Sequence, residues 1–142
     1  SDALAGTVEL EPALTLRSEV VHVHTVEAGE GVSYGRRWIA RRPTRVATVP
    51  IGYADGVRRD LPARGGTVLV RGVRRPMIGV VTMDQFMFDC GDVPVEVGDE
   101  VVLIGEQGGE RITANEIAER LGTISYEIVC AIGPRVPRRA VG

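Results

Sequence analysis

Lysine is absent from this 142-residue chain, and all 17 basic side chains are arginine. Arginine offers no primary amine at accessible pH, so no side chain here can form a Schiff base. Aromatic residues are scarce at 4%, which removes the rings on which single-stranded nucleic acid stacks. Neither charge sign dominates: 17 basic against 19 acidic residues leave a net charge of −2, with no footprint for nucleic acid or an anionic membrane. The arginine clusters Arg36-Arg37, Arg41-Arg42 and Arg138-Arg139 are read as solvated faces and subunit contacts. No apolar run approaches the ~20 residues a membrane span requires, and no leader pattern opens the chain. Only two cysteines occur, Cys90 and Cys130, each inside an apolar run. They are read as two buried thiols in a reducing cytosol, which places the protein in the cytoplasm. His22 and His24 share one face of a strand, with no third ligand nearby. They are read as sheet-surface histidines, and no metal site is expected.

What is present suits one folded unit. Hydrophobic content of 44% and charged content of 25% are ordinary for a globular domain with a real core. Segments 16–26, 45–51, 67–70, 73–82, 85–90, 100–104 and 124–131 are short, rich in β-branched residues and bounded by Gly, Pro or Asp. That pattern predicts strands. Val70-Arg71-Gly72-Val73 marks a two-residue hairpin, and Gly98-Asp99 a second turn. Strands at such spacing point to an all-β fold, an antiparallel, Greek-key-like closed barrel. One segment departs from it. Thr113-Ala114-Asn115-Glu116 has the form of a capping box. Ala114, Ile117, Ala118 and Leu121 follow at i, i+3, i+4 and i+7, and Gly122 is placed to stop the turn, so one short helix is expected over 114–121.

Three motifs could carry chemistry. Tyr34 lies in Val32-Ser33-Tyr34-Gly35. A phenol of ordinary pKa ~10 is a poor base, but neighbours that stabilise the phenolate make it useful. Gly52-Tyr53-Ala54-Asp55-Gly56 follows a predicted strand, and its glycines let the backbone turn and project Tyr53 and Asp55. Thr82-Met83-Asp84-Gln85 follows a buried-looking run. Each alone would pass for an ordinary turn, an exposed aromatic or core filling.

Together, and in this order, the motifs resemble the C-terminal domain of alanine racemase, with Tyr126-Glu127 and Arg135-Val136-Pro137-Arg138 downstream extending the likeness over residues 11–139. The resemblance implies a pyridoxal phosphate (PLP)-dependent isomerase that interconverts L- and D-alanine and supplies D-alanine for peptidoglycan. In it Tyr34 is the base for L-alanine, and a PLP-bearing lysine of the partner subunit acts on D-alanine. The Met83 backbone N–H would hold the substrate carboxylate, while Tyr53, Arg59 and Asp84 line the site and its access channel. Residues 1–15 would be the crossover from a preceding domain and 16–142 the C-terminal β-domain. That β-domain would pack over the N-terminal (β/α)8 barrel of the partner in a head-to-tail homodimer. PLP would be bound by that other domain, so this chain reads as a detached part, inactive alone. Relatives place before Arg135 a tyrosine that helps hold the PLP phosphate; Pro134 stands there instead. Two alternatives remain: a racemase for another small amino acid such as serine, or a non-catalytic β-barrel binding module.

Overall fold

The computed structural model describes residues 14–32 and 38–140. Strands β1 (Leu16–Glu19) and β2 (His22–Val26) come first. A small hairpin follows, β3 (Gly31–Val32) with β4 (Trp38–Ile39), and then β5 (Thr44–Val49). The remaining strands are β6 (Thr67–Val70), β7 (Val73–Ile78), β8 (Phe86–Asp89), β9 (Glu100–Gln107) and β10 (Glu110–Ile112). Helices α1 (Ala114–Leu121) and α2 (Ser125–Cys130) close the order. The main sheet runs β1-β9-β6-β7-β8-β5-β2, with β10 on β9, and its ladders are antiparallel. Within it β9-β6-β7-β8 is a Greek key, since β6, β7 and β8 form a meander and β9 returns beside β6.

The expected closed barrel is corrected in one respect. Among the described residues the sheet order ends on β1 and β2, and no ladder joins them. Residues 16–26 form not one strand but two, broken at Val20-Val21. Val20 N–H donates to Asp99 O (2.9 Å) and Val21 N–H to Thr48 O (3.0 Å). The chain thus passes from one sheet edge to the other. Segments that lie end to end cannot pair side by side, so the sheet stays open.

Alternation along the strands builds the packing. Ala47, Val49, Val68, Val70, Phe86, Phe88 and Val101 fill the main core. On the opposite face Val46 and Ile78 join Val26, Val32 and Ala40 beneath the β3–β4 hairpin, while Leu69 and Val102 pack with Ile112. Both faces of the central strands are therefore dry, each fully buried Val or Phe being worth roughly 1.5–3 kcal/mol. The hairpin between β6 and β7 is as expected: Arg71 (φ 50°) and Gly72 (φ 76°) both occupy the left-handed region a two-residue turn requires. Arg71 tolerates it while held by Asp99 through Nε–Oδ2 (2.7 Å) and Nη2–Oδ1 (3.1 Å). That hydrogen-bonded guanidinium holds the Asp99 carboxyl below its ordinary range.

Helix α1 spans the predicted residues. Thr113 Oγ1 accepts from Glu116 N–H (3.0 Å) and Gly122 (φ 71°) ends the turn. The box is not reciprocal, however, because the Glu116 carboxylate is drawn to Arg74 Nη1 (2.6 Å), pinning the helix to β7. The predicted strand over 124–131 is instead α2. Only Ile128 of α2 is buried, while Tyr126 and Val129 face outward. Glu127 secures the helix by accepting from Thr123 Oγ1 and Arg58 Nη2, both at 2.6 Å. Cys90 is buried as expected, and burial pushes its thiol up to about 11. Cys130 is exposed on α2, contrary to the buried reading, because the helix turns it away from the core. His22 and His24 stack on β2 with ring centroids 5.1 Å apart.

Candidate active site

The sheet delivers two loops to one place. The first leaves β5, and its residues Tyr53–Asp55 form a single 3₁₀ turn. The second is the 79–85 connection between β7 and β8. They are stitched main chain to main chain: Tyr53 N–H donates to Thr82 O (2.9 Å) and Ala54 N–H to Met83 O (3.1 Å). Gly52 makes this approach possible, since a Cβ there would lie 2.3 Å from Thr82 O and 2.5 Å from the Met83 carbonyl. Tyr53 and Met83, on the two stitched loops, are both exposed, at 47% and 52%. Among the described residues, no protein acceptor takes the Met83 N–H. The second loop is closed on itself by Thr82 N–H and Thr82 Oγ1, which both donate to Gln85 O.

Asp55 anchors the first loop. It is one of two buried polar or charged residues among those described, and its Oδ2 accepts from Gly52 N–H (3.1 Å). Its Oδ1 lies 3.3 Å from Arg135 Nε, while Arg135 Nη2 reaches Asp84 Oδ1 at 3.1 Å. Gly56 (φ 109°) turns the chain so tightly against α2 that a Cβ would lie 2.5 Å from Ala131 O. The C-terminal exit completes the cluster, with Gly133 N–H donating to Asp55 O (3.1 Å).

Three of the five site residues expected from the sequence, Tyr53, Met83 and Asp84, thus lie on the two stitched loops. Arg59 is exposed just beyond, its carbonyl accepting from Val81 N–H (3.4 Å). Tyr34 lies outside the described residues. The strands on either side of it, β3 and β4, place Val32 and Trp38 in one apolar cluster with Ile78 and Met87, which bracket the second loop. Sequence reasoning did not assign the roles of Asp55 and Arg135. The Gly-x-x-Asp spacing could have disclosed the Asp55 turn; no local signal pairs residue 135 with 55 and 84.

A PLP group does not fit these residues alone. The chain has no lysine, and Arg135 and Arg138, which follow Pro134, are engaged. Arg135 is held by two carboxylates, and Arg138 donates to the carbonyls of Ile132 (2.8 Å), Gly133 (2.9 Å) and Val136 (2.9 Å). Neither guanidinium is left as a phosphate cradle.

The family model for the C-terminal domain of alanine racemase matches residues 13–140. The alanine racemase of Cutibacterium acnes is 54% identical over 139 residues, which cover 97% of this chain and 37% of that protein. The alanine racemase of Symbiobacterium thermophilum is 55% identical over 136 residues, 95% of this chain and 36% of that protein. Among solved structures, the Bacillus anthracis alanine racemase with bound L-Ala-P superposes with a TM-score of 0.89 at 46% identity, covering 96% of this chain and 35% of that one. The enzyme from D-cycloserine-producing Streptomyces lavendulae gives a TM-score of 0.87 at 47% identity, over 94% of this chain and 35% of its own. The chain spans a little over a third of the relatives it matches. It belongs to the alanine racemase C-terminal domain family.

Proposed function

We propose that this chain is the C-terminal part of a PLP-dependent alanine racemase of the cytoplasm. Its residues 1–15 are the crossover and 16–142 the β-domain that completes the partner subunit's site in a head-to-tail homodimer. The observation that carries this reading is the stitched loop pair. It brings the exposed residues Tyr53 and Met83 onto adjoining loops, and no acceptor among the described residues takes the Met83 N–H. A main-chain N–H fixed by its loop orients a carboxylate with little reorganisation. Tyr34 is assigned as the base that takes the α-proton of L-alanine; Tyr53, Asp84 and Arg59 border the substrate's path. PLP would supply the electron sink of the reaction and would be held by the (β/α)8 barrel domain, since this chain offers no lysine for it. Family membership favours this over a stand-alone binding module.

The reading is tested by following D-alanine formation from L-alanine with the full-length protein carrying this domain, beside the 142-residue chain alone. Turnover by the former and none by the latter is expected. Full-length protein that binds PLP yet leaves L-alanine unracemised would overturn the assignment.

A further inference from the structure

We propose that Arg135 is a positioning residue that sets the Met83 N–H against Tyr53 by clasping the two site loops from the C-terminal exit. This rests on the reading of Met83 as the substrate-carboxylate contact. The exit is itself ordered by a second arginine. Arg138 donates to the carbonyls of Ile132, Gly133 and Val136, folding residues 132–138 into a compact turn. From that turn Arg135 reaches Asp55 on one loop (Nε to Oδ1, 3.3 Å) and Asp84 on the other (Nη2 to Oδ1, 3.1 Å). Asp55 is buried, with Gly52 N–H on its other oxygen. The guanidinium thus ties the base of the first loop to the residue next to Met83.

Arginine suits the task because a planar fork can serve two carboxylates at once, whereas an ammonium is a point charge on a flexible stem. The Asp84 arm, exposed on both sides, stabilises little and acts on loop register, whereas losing the other arm leaves the buried Asp55 carboxylate without its cation and loosens the base of the first loop. Loss of the clasp leaves the stitching bonds Tyr53 N–H to Thr82 O and Ala54 N–H to Met83 O as the direct link between the loops.

The test uses full-length protein carrying this domain, with Arg135→Gln and Arg135→Lys. Hydrogen exchange at Tyr53 and Ala54 is expected to accelerate in Arg135→Gln while the β6–β7 hairpin stays protected. The KM for alanine is expected to rise about tenfold with kcat changed much less, the pattern of a ground-state contact misplaced. Arg135→Lys, able to hold one carboxylate, should fall between and serves where the glutamine variant does not fold. Wild-type exchange and KM in a folded Arg135→Gln would overturn the proposal, as would a fall in kcat with KM unmoved. If the wild-type protein racemises no alanine, the functional reading fails, while the exchange arm still decides whether Arg135 clasps the loops.

Discussion

Replacing Gly52 by alanine tests the stitching of the two site loops most directly. The backbone there (φ −138°) is one that alanine adopts freely, so the effect is steric. The new methyl would lie 2.3 Å from Thr82 O and 2.5 Å from both C and O of Met83, all main-chain atoms. Relief to an ordinary contact needs the loops to part by roughly 1 Å, since optimal non-bonded separations are ~3.5 Å. Parting them weakens the bonds from Tyr53 N–H to Thr82 O and Ala54 N–H to Met83 O. Each such bond contributes about 1 kcal/mol net. Overpacking a close site costs ~1–3 kcal/mol, so the total is about 3–5 kcal/mol with both bonds lost. With a urea dependence of ~2 kcal/mol/M, the unfolding midpoint should fall by roughly 1.5–2.5 M. Far-UV circular dichroism of the variant and wild-type chains measures it, and amide exchange should localise the damage to residues 52–55 and 82–85. A midpoint shifted by less than about 0.3 M, well inside the expected loss, would mean that the loops are not held at this distance.

In full-length protein, Tyr34→Phe should lower racemisation in both directions by ~10²–10⁴-fold, the usual contribution of a positioned acid/base group. Deuterium should still wash into D-alanine but not into L-alanine; wild-type exchange into L-alanine would make Tyr34 a loop residue only. Incubating this chain with PLP and then borohydride should leave every side chain unlabelled, because it contains no lysine; a stoichiometric side-chain adduct by mass spectrometry would refute that. A thiol reagent at neutral pH should label Cys130 quickly and Cys90 only after unfolding. The Cys90 thiol is pushed up to about 11 by burial, from an ordinary 9.0. Its raised folded value means that its contribution to stability is whole below pH 9 and is lost as pH rises towards 11. A Cys90→Ala chain should lack that component of the alkaline stability loss in pH-dependent urea titrations.

Local chemistry was legible where it repeats at short range. The 114–121 helix followed from its apolar spacing and its Thr113 and Gly122 ends, and the Arg71-Gly72 turn from the need for left-handed backbone between two apolar runs. The order of the Tyr34, Tyr53 and Met83 motifs was enough for the family. Residues 124–131 misled because Ile124, Tyr126, Ile128 and Val129 have strand-like chemistry, yet what is satisfied there is one buried Ile128 and the grip of Glu127 on Thr123 and Arg58. Tertiary contact overrode propensity. The same holds for the break at Val20-Val21, whose cause is two separate partners, Asp99 and Thr48, far apart in the chain.

The amino-acid order by itself thus determined the strand-rich core, the turns, the single strong helix and the absence of any lysine for a Schiff base, because each depends on residues within a few positions of one another. Only the tertiary structure decided that the sheet stays open, that Glu116 answers Arg74 rather than its own helix end, and that Arg135 joins Asp55 to Asp84. Those outcomes turn on which distant groups come within hydrogen-bonding reach once the chain has folded, and no spacing along the sequence encodes that distance.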